Sequence, residues 1–212
     1  MIPEFPYHLY LVISEESCTY HSVLHVAQQA IRGGVDIIQL REKKLAVPEF
    51  TQRALALKKI TDAYNIPLVI NDNLEVAKAI DAFGIHVGNN DQSPSEIQGD
   101  WNKEKCIGYS IEKLEQLQNE HIDKSSYLGI SPVYNTPTKT DTITQWKADG
   151  VAKIRQITDK PLVAIGRMDA QNSRMIIKAG ANCIAVVSAI CAARDPRRAA
   201  KEMKTSILNA KN

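Results

Sequence analysis

The chain has 212 residues, 44% of them hydrophobic and 24% charged, with a formal net charge of +2. That is an ordinary globular composition, and its basic residues are scattered rather than blocked between aromatics, which argues against nucleic acid as a partner. The N-terminal residues carry Glu4 and Pro6 and no basic run, unlike a secretory leader, and the longest apolar run, residues 183–193, is about half of what a bilayer crossing needs.

In chain order, short apolar runs rich in β-branched residues alternate with longer amphipathic segments. A first strand is expected over 8–13 (HLYLVI) and a second over 37–41 (IIQLR). A helix follows over 48–64, with Phe50, Ala54, Leu57, Ile60 and Tyr64 at spacings of three to four and Pro48 at its start. Strands are expected next at 68–72 (LVIND), 84–88 (GIHVG) and 106–110 (CIGYS), the last leading into a helix over 111–120. The run 127–133 (YLGISPV) reads as strand six, and a helix over 150–158 leads to strand seven at 162–166 (LVAIG). The segment 170–180 ends on Gly180, a helix stop, before strand eight at 183–188 (CIAVVS). The closing helix, 195–211, opens with Asp195 as N-cap and Pro196 in its first turn.

Most of these strands are too uniformly apolar to be half-exposed, so they read as parallel strands buried on both faces. Eight strand–helix repeats without a composition break predict a single (β/α)8 TIM barrel over residues 1–212. A doubly wound open sheet is the alternative, weakened because no Gly-x-Gly-x-x-Gly turn follows the first strand. The four cysteines, Cys18, Cys106, Cys183 and Cys191, show no CxxC spacing and read as buried thiols of a reducing cytosol.

Barrel chemistry sits at the C-terminal ends of the strands. There the chain places Arg41, Lys43 and Lys139, cations suited to phosphate oxygens. It also places Asp72 and Asp91, oxygen ligands suited to Mg²⁺, which keeps waters and bridges substrate phosphates. That pairing suggests a diphosphate. Small residues at Gly166 and around Ser188–Ala189, with a short helix opening at Ser188, suggest a second, monophosphate position. Plainer readings stand beside these. The charges after strand two could be a solvated run, with Glu42 turned away from Arg41 and Lys43. Asp72 could belong to a turn capping the next helix, Asp91 could start a helix, and His86 reads as a hydrogen-bonded core histidine. The stretch 131–142 (SPVYNTPTKTDT) could be an exposed strand face or an anion-holding loop; Pro132 and Pro137 argue for the loop.

Taken together and in order, GGVDIIQLREKK, LVINDNLEVAKAIDAFGIHVGNND, YLGISPVYNTPTKTDT, LVAIG and GANCIAVVSAI resemble the thiamine phosphate synthase family over about Gly33 to Pro196. The resemblance implies a cytoplasmic transferase of thiamine biosynthesis. It would join 4-amino-5-hydroxymethyl-2-methylpyrimidine diphosphate to a hydroxyethyl-thiazole phosphate and release diphosphate by a dissociative displacement. It further implies that Gln39, Arg41 and Lys43 bind the pyrimidine diphosphate, that Asn71 and Lys139 contact its diphosphate, and that Asp72 and Asp91 hold Mg²⁺. Ser110 would lie near the pyrimidine and Thr136 and Thr138 near the thiazole phosphate, with Gly166, Val187 and Ser188 binding that phosphate. The chain departs from the family pattern at Arg167, where a second glycine is usual, at Asn89 for Gln, at Asn73 for Arg and at Ser14 for Asp. Two other readings are an isomerase resembling the thiazole tautomerases and a non-catalytic binder of thiazole or thiamine phosphate. Small-molecule substrates are the expected partners, and a homo-oligomer is compatible with the sequence.

Overall fold

The structure, a computed structural model, describes residues 4–101, 104–135 and 145–211. Eight strands, β1 (Leu9–Ile13), β2 (Ile37–Leu40), β3 (Leu68–Asn71), β4 (Gly84–Val87), β5 (Cys106–Ile111), β6 (Tyr127–Ile130), β7 (Leu162–Ile165) and β8 (Cys183–Val186), pair in parallel in chain order. β8 returns to β1 with Ala185 opposite Tyr10 and closes the (β/α)8 barrel. Around it run α1 (Val23–Arg32), α2 (Val47–Ala63), α3 (Leu74–Ala79), α4 (Pro94–Asp100), α5 (His121–Lys124), α6 (Lys147–Ile157), α7 (Asn172–Lys178), α8 (Ser188–Cys191) and α9 (Pro196–Lys211). Among the described residues no helix is long and apolar enough to cross a membrane.

Alternate residues of a strand face opposite sides, and the buried apolar residues accordingly divide into two cores. Leu9, Leu11, Ile38, Leu40, Ile70 and Ile85 pack in the layer between strands and helices, whereas Tyr10, Val12, Ile37, Val69, Tyr127 and Val163 fill the barrel. The segment before β1 plugs the N-terminal end of the barrel. Phe5 is buried there, its ring centroid 4.3 Å from that of Tyr127 and 4.9 Å from that of Tyr7.

The last helix seals the circle against the first. Gly33, just past α1, faces α9 so closely that a Cβ there would lie 2.4 Å from the Arg197 carbonyl oxygen and 2.6 Å from Ala200 Cβ. Beside it Asp36 accepts the backbone N–H groups of His8 and Leu9, both at 2.9 Å, and pairs with Lys204 of α9. Asp195 caps α9 by accepting the Arg198 N–H at 2.9 Å.

The helix expected over 111–120 does not form. Ile111 ends β5, residues 114–118 make a 3-10 turn, and α5 occupies only 121–124. Gln116 is the cause: its Oε1 accepts the N–H groups of Glu112 and Lys113, both at 2.7 Å, and turns the chain before helical hydrogen bonds are established.

Candidate active site

A cavity of about 620 Å³ opens at the C-terminal ends of the strands. The strand alternation that fills the barrel's base also supplies its polar wall. Gln39 lies two residues before Arg41 on the inward side of β2, Asn71 ends β3, His86 sits on β4, and Ser110 sits on β5. Lys43 and Asp91 reach the same cavity from the loops after β2 and β4. Thus Gln39, Arg41, Lys43, Asn71, Asp72, Asp91 and Ser110, expected from the sequence to share one site, line one cavity.

Asp72 follows β3 directly in a left-handed conformation, φ 60°. Capping of α3 falls to the next residue: Asn73 Oδ1 accepts the Val76 N–H at 2.9 Å, which leaves the Asp72 carboxylate to the cavity. There it pairs with the Lys43 ammonium. The start of α4 is likewise capped by Ser93 in a capping box with Glu96, while Asp91 Oδ2 accepts the Gly88 N–H at 2.8 Å. The Asp91 carboxyl is a neighbour of Asp72. Burial pushes the Asp72 carboxyl above its ordinary range, Lys43 pulls it down, and Asp91 adds to the rise. Glu42 is turned away, as expected, and is structural: its Oε1 accepts from Arg53 at 2.7 Å and from the Glu15 N–H at 3.0 Å.

A smaller cavity of about 90 Å³ adjoins the first, lined by Gly166, Arg167, Val187 and Ser188, with Arg41 in the wall common to both. Gly166 has φ 122°, and a Cβ there would lie 2.9 Å from the Val133 N. Arg167 follows it at φ 47°, a left-handed backbone on a residue with a long side chain. Thr136, Thr138 and Lys139 lie outside the described residues.

Several cavity residues escape sequence reasoning. Tyr10 and Tyr127 look like ordinary apolar-strand aromatics, yet both face inward and line the cavity floor. His86 is hydrogen-bonded, at 3.0 Å to both Tyr127 and Ser110, but it is a cavity residue rather than a core one. Its inward parity, shared with Gly84 and Gly88, was the available signal. Asn89 Oδ1 accepts from the Tyr109 hydroxyl at 2.8 Å and from the Gln116 amide, tying the β4 loop to the β5 turn. The four cysteines are free, with Cys106, Cys183 and Cys191 buried and Cys18 half-buried.

Cations and apposed carboxylates around one cavity suit a polyphosphate and a divalent ion; the neighbouring small cavity suits a second, smaller anionic group. Comparison with known proteins points the same way. The family model described as thiamine monophosphate synthase matches residues 9–190. A thiamine-phosphate synthase of Albidiferax ferrireducens is 42% identical over 199 residues, covering 94% of this chain and 91% of that protein. One from Shouchella clausii is 35% identical over 205 residues, covering 97% and 98%. Among solved structures, the thiamine phosphate pyrophosphorylase of Pyrococcus furiosus superposes with a TM-score of 0.88 at 26% identity, over 98% of each chain. A 3-hexulose-6-phosphate synthase, at 17% identity and TM-score 0.65, shares the fold.

Proposed function

The chain belongs to the thiamine monophosphate synthase family, and we propose that its main cavity binds the pyrimidine diphosphate and its small cavity the phosphate of the thiazole. On this reading it is a transferase that joins 4-amino-2-methyl-5-pyrimidinylmethyl to 4-methyl-5-(2-hydroxyethyl)thiazole phosphate, giving thiamine phosphate and diphosphate. The relatives named above do not support the isomerase or the non-catalytic binder.

One observation carries the reading: two carboxylates from neighbouring loops and the cations of the β2 loop face the same cavity. In the reaction the C–O bond between the pyrimidine methylene and the diphosphate breaks, and its electron pair leaves with the diphosphate. The thiazole nitrogen then gives its lone pair to the methylene carbon, forming the C–N bond of a thiazolium. The nucleophile carries no proton, so no general base is required. What the protein must supply is charge against the departing diphosphate and alignment of the thiazole. On this reading Arg41 and Lys43, which with Asn71 line the main cavity, take the first task, joined by Lys139 on the family resemblance. Gly166, Val187 and Ser188, which line the small cavity, take the second, joined by Thr136 and Thr138 on the resemblance.

Asp72 and Asp91 fit Mg²⁺. Two neighbouring carboxylates, one of them raised by burial, are stabilised by a cation between them. Among the described residues no group of three or more His, Cys, Asp or Glu side chains converges as a metal site. Mg²⁺ takes few protein ligands and fills its shell with water and phosphate oxygens. When bound, such an ion adds its charge to that of Arg41 and Lys43 on the diphosphate.

The test is diphosphate release from the two substrates together. We expect release only when both are present, loss of activity with a chelator and recovery with Mg²⁺. Release from one substrate alone contradicts the transferase, and full activity in chelator contradicts the metal assignment.

A further inference from the structure

Below the charged rim, five polar side chains from five strands connect in series across the barrel. Gln39 Nε2 donates to the Tyr10 hydroxyl at 3.0 Å, and that hydroxyl is 3.0 Å from the hydroxyl of Tyr127. Tyr127 is in turn 3.0 Å from His86 Nδ1, and His86 Nε2 is 3.0 Å from Ser110 Oγ. The first and last members, Gln39 and Ser110, line the cavity, and nothing in the bond-breaking chemistry above uses the three between them.

A phenol has one hydrogen to donate. The Tyr10 oxygen already accepts from Gln39, and giving its own hydrogen to Tyr127 satisfies this buried hydroxyl; with that direction Tyr127 gives its own to His86 Nδ1. A ring nitrogen that accepts carries no proton, so the imidazole hydrogen resides on Nε2 and is donated to Ser110 Oγ. Ser110, already an acceptor from the ring, has its own hydroxyl hydrogen to turn toward the cavity.

We propose that this series is a one-way relay, in which Tyr10, Tyr127 and His86 are positioning residues that fix His86 as its Nε2–H tautomer and thereby make Ser110 a hydrogen-bond donor to a ring nitrogen of the aminopyrimidine. The proposal rests on the transferase reading for the identity of the ligand, and on the satisfaction of the buried Tyr10 hydroxyl for the direction of the relay.

The surroundings are built for it. A Cβ at Gly108 of β5 would lie 2.2 Å from Tyr127 Cζ and 2.4 Å from His86 Nδ1, and one at Gly129 of β6 would lie 2.9 Å from His86 Cε1. Glycine at both positions opens the slot in which phenol and imidazole meet, stacked with centroids 5.5 Å apart and planes 19° apart. Tyr10 and Tyr127 are fully buried, and burial pushes both phenols up, so each remains a donor. A donor at Ser110 favours a heterocycle with a free ring lone pair and disfavours its oxo analogue, whose corresponding nitrogen carries hydrogen.

The experiment reads the ring directly. In ¹⁵N-histidine-labelled protein without substrates, long-range ¹H–¹⁵N spectra distinguish the tautomers, and His86→Gln identifies the signal among the five histidines. The relay requires an Nε2–H ring; an Nδ1–H ring, or an imidazolium, overturns it. In parallel, Tyr127→Phe should raise KM for the pyrimidine diphosphate about tenfold, as loss of one hydrogen bond does, and leave KM for the thiazole phosphate unchanged. Tyr10→Phe, one link further back, should act in the same direction. Unchanged KM values, or equal rises for both substrates, also overturn the proposal. Should a variant fail to fold, the wild-type spectrum decides. An Nδ1–H ring leaves the transferase standing, whereas absence of turnover in wild-type protein removes the transferase whatever the ring shows.

Discussion

Arg167 combines a left-handed backbone, φ 47°, with a place in the wall of the small cavity. A side chain in that conformation costs roughly 1–2 kcal/mol, and the resemblance puts glycine here. Arg167→Gly should therefore raise stability by up to about 1 kcal/mol, because the strain relieved is partly offset by the greater freedom of the unfolded chain. If the guanidinium meets the thiazole phosphate, the same change raises KM for that substrate while leaving KM for the pyrimidine diphosphate alone; denaturant unfolding and steady-state kinetics measure the two effects. A stabilised variant with unaltered KM values would show that Arg167 holds strain without gripping phosphate. At this scale the charged residues were legible, since Arg41, Lys43, Asp72 and Asp91 stand at strand ends in unbroken local patterns. The relay was not. Its links join residues 29, 117, 41 and 24 positions apart, and tyrosine in an apolar strand looks the same whether its hydroxyl is partnered or absent.

Strands and helices divide the barrel into a face that reacts and a face that holds. The loops leading into the strands belong to the second kind, and Gly33 shows it most clearly. Gly33→Ala drives a methyl group against the Arg197 carbonyl and Ala200 Cβ of α9. It should destabilise the protein by about 1–3 kcal/mol, as overpacking does, while kcat and both KM values stay near wild type below the new midpoint. A loss of kcat without loss of stability would mean that the α1–α9 contact communicates with the cavity. Elements were readable where the backbone satisfied itself. Apolar runs buried on both faces located all eight strands to within a few residues, and Asp195 opened α9 and Gly180 followed the end of α7 where expected. The failure at 111–120 has a physical origin: Leu114 and Leu117 mimic a helical period, but one glutamine side chain captures two backbone N–H groups first. The plug before β1 had no period to betray it, because Phe5 and Tyr7 act through ring contacts in an irregular segment.

For the whole molecule, that aromatic plug has a kinetic consequence. With Phe5 and Tyr7 stopping one end of the barrel, the main cavity is a blind well. Its floor carries Tyr10 and Tyr127, while the small cavity opens off its upper wall beside Arg167 and Ser188. On the proposed reading, a pyrimidine on the floor descends before the upper position is filled and leaves after that position is vacated. Substrates are thus expected to bind in sequence, the pyrimidine diphosphate first. An unreactive thiazole phosphate analogue should inhibit uncompetitively against the pyrimidine diphosphate; noncompetitive inhibition would mean that either substrate can enter an empty protein. A wall of rings on the far side of the barrel, remote from every charge in the site, would then dictate the turn-taking of the reaction.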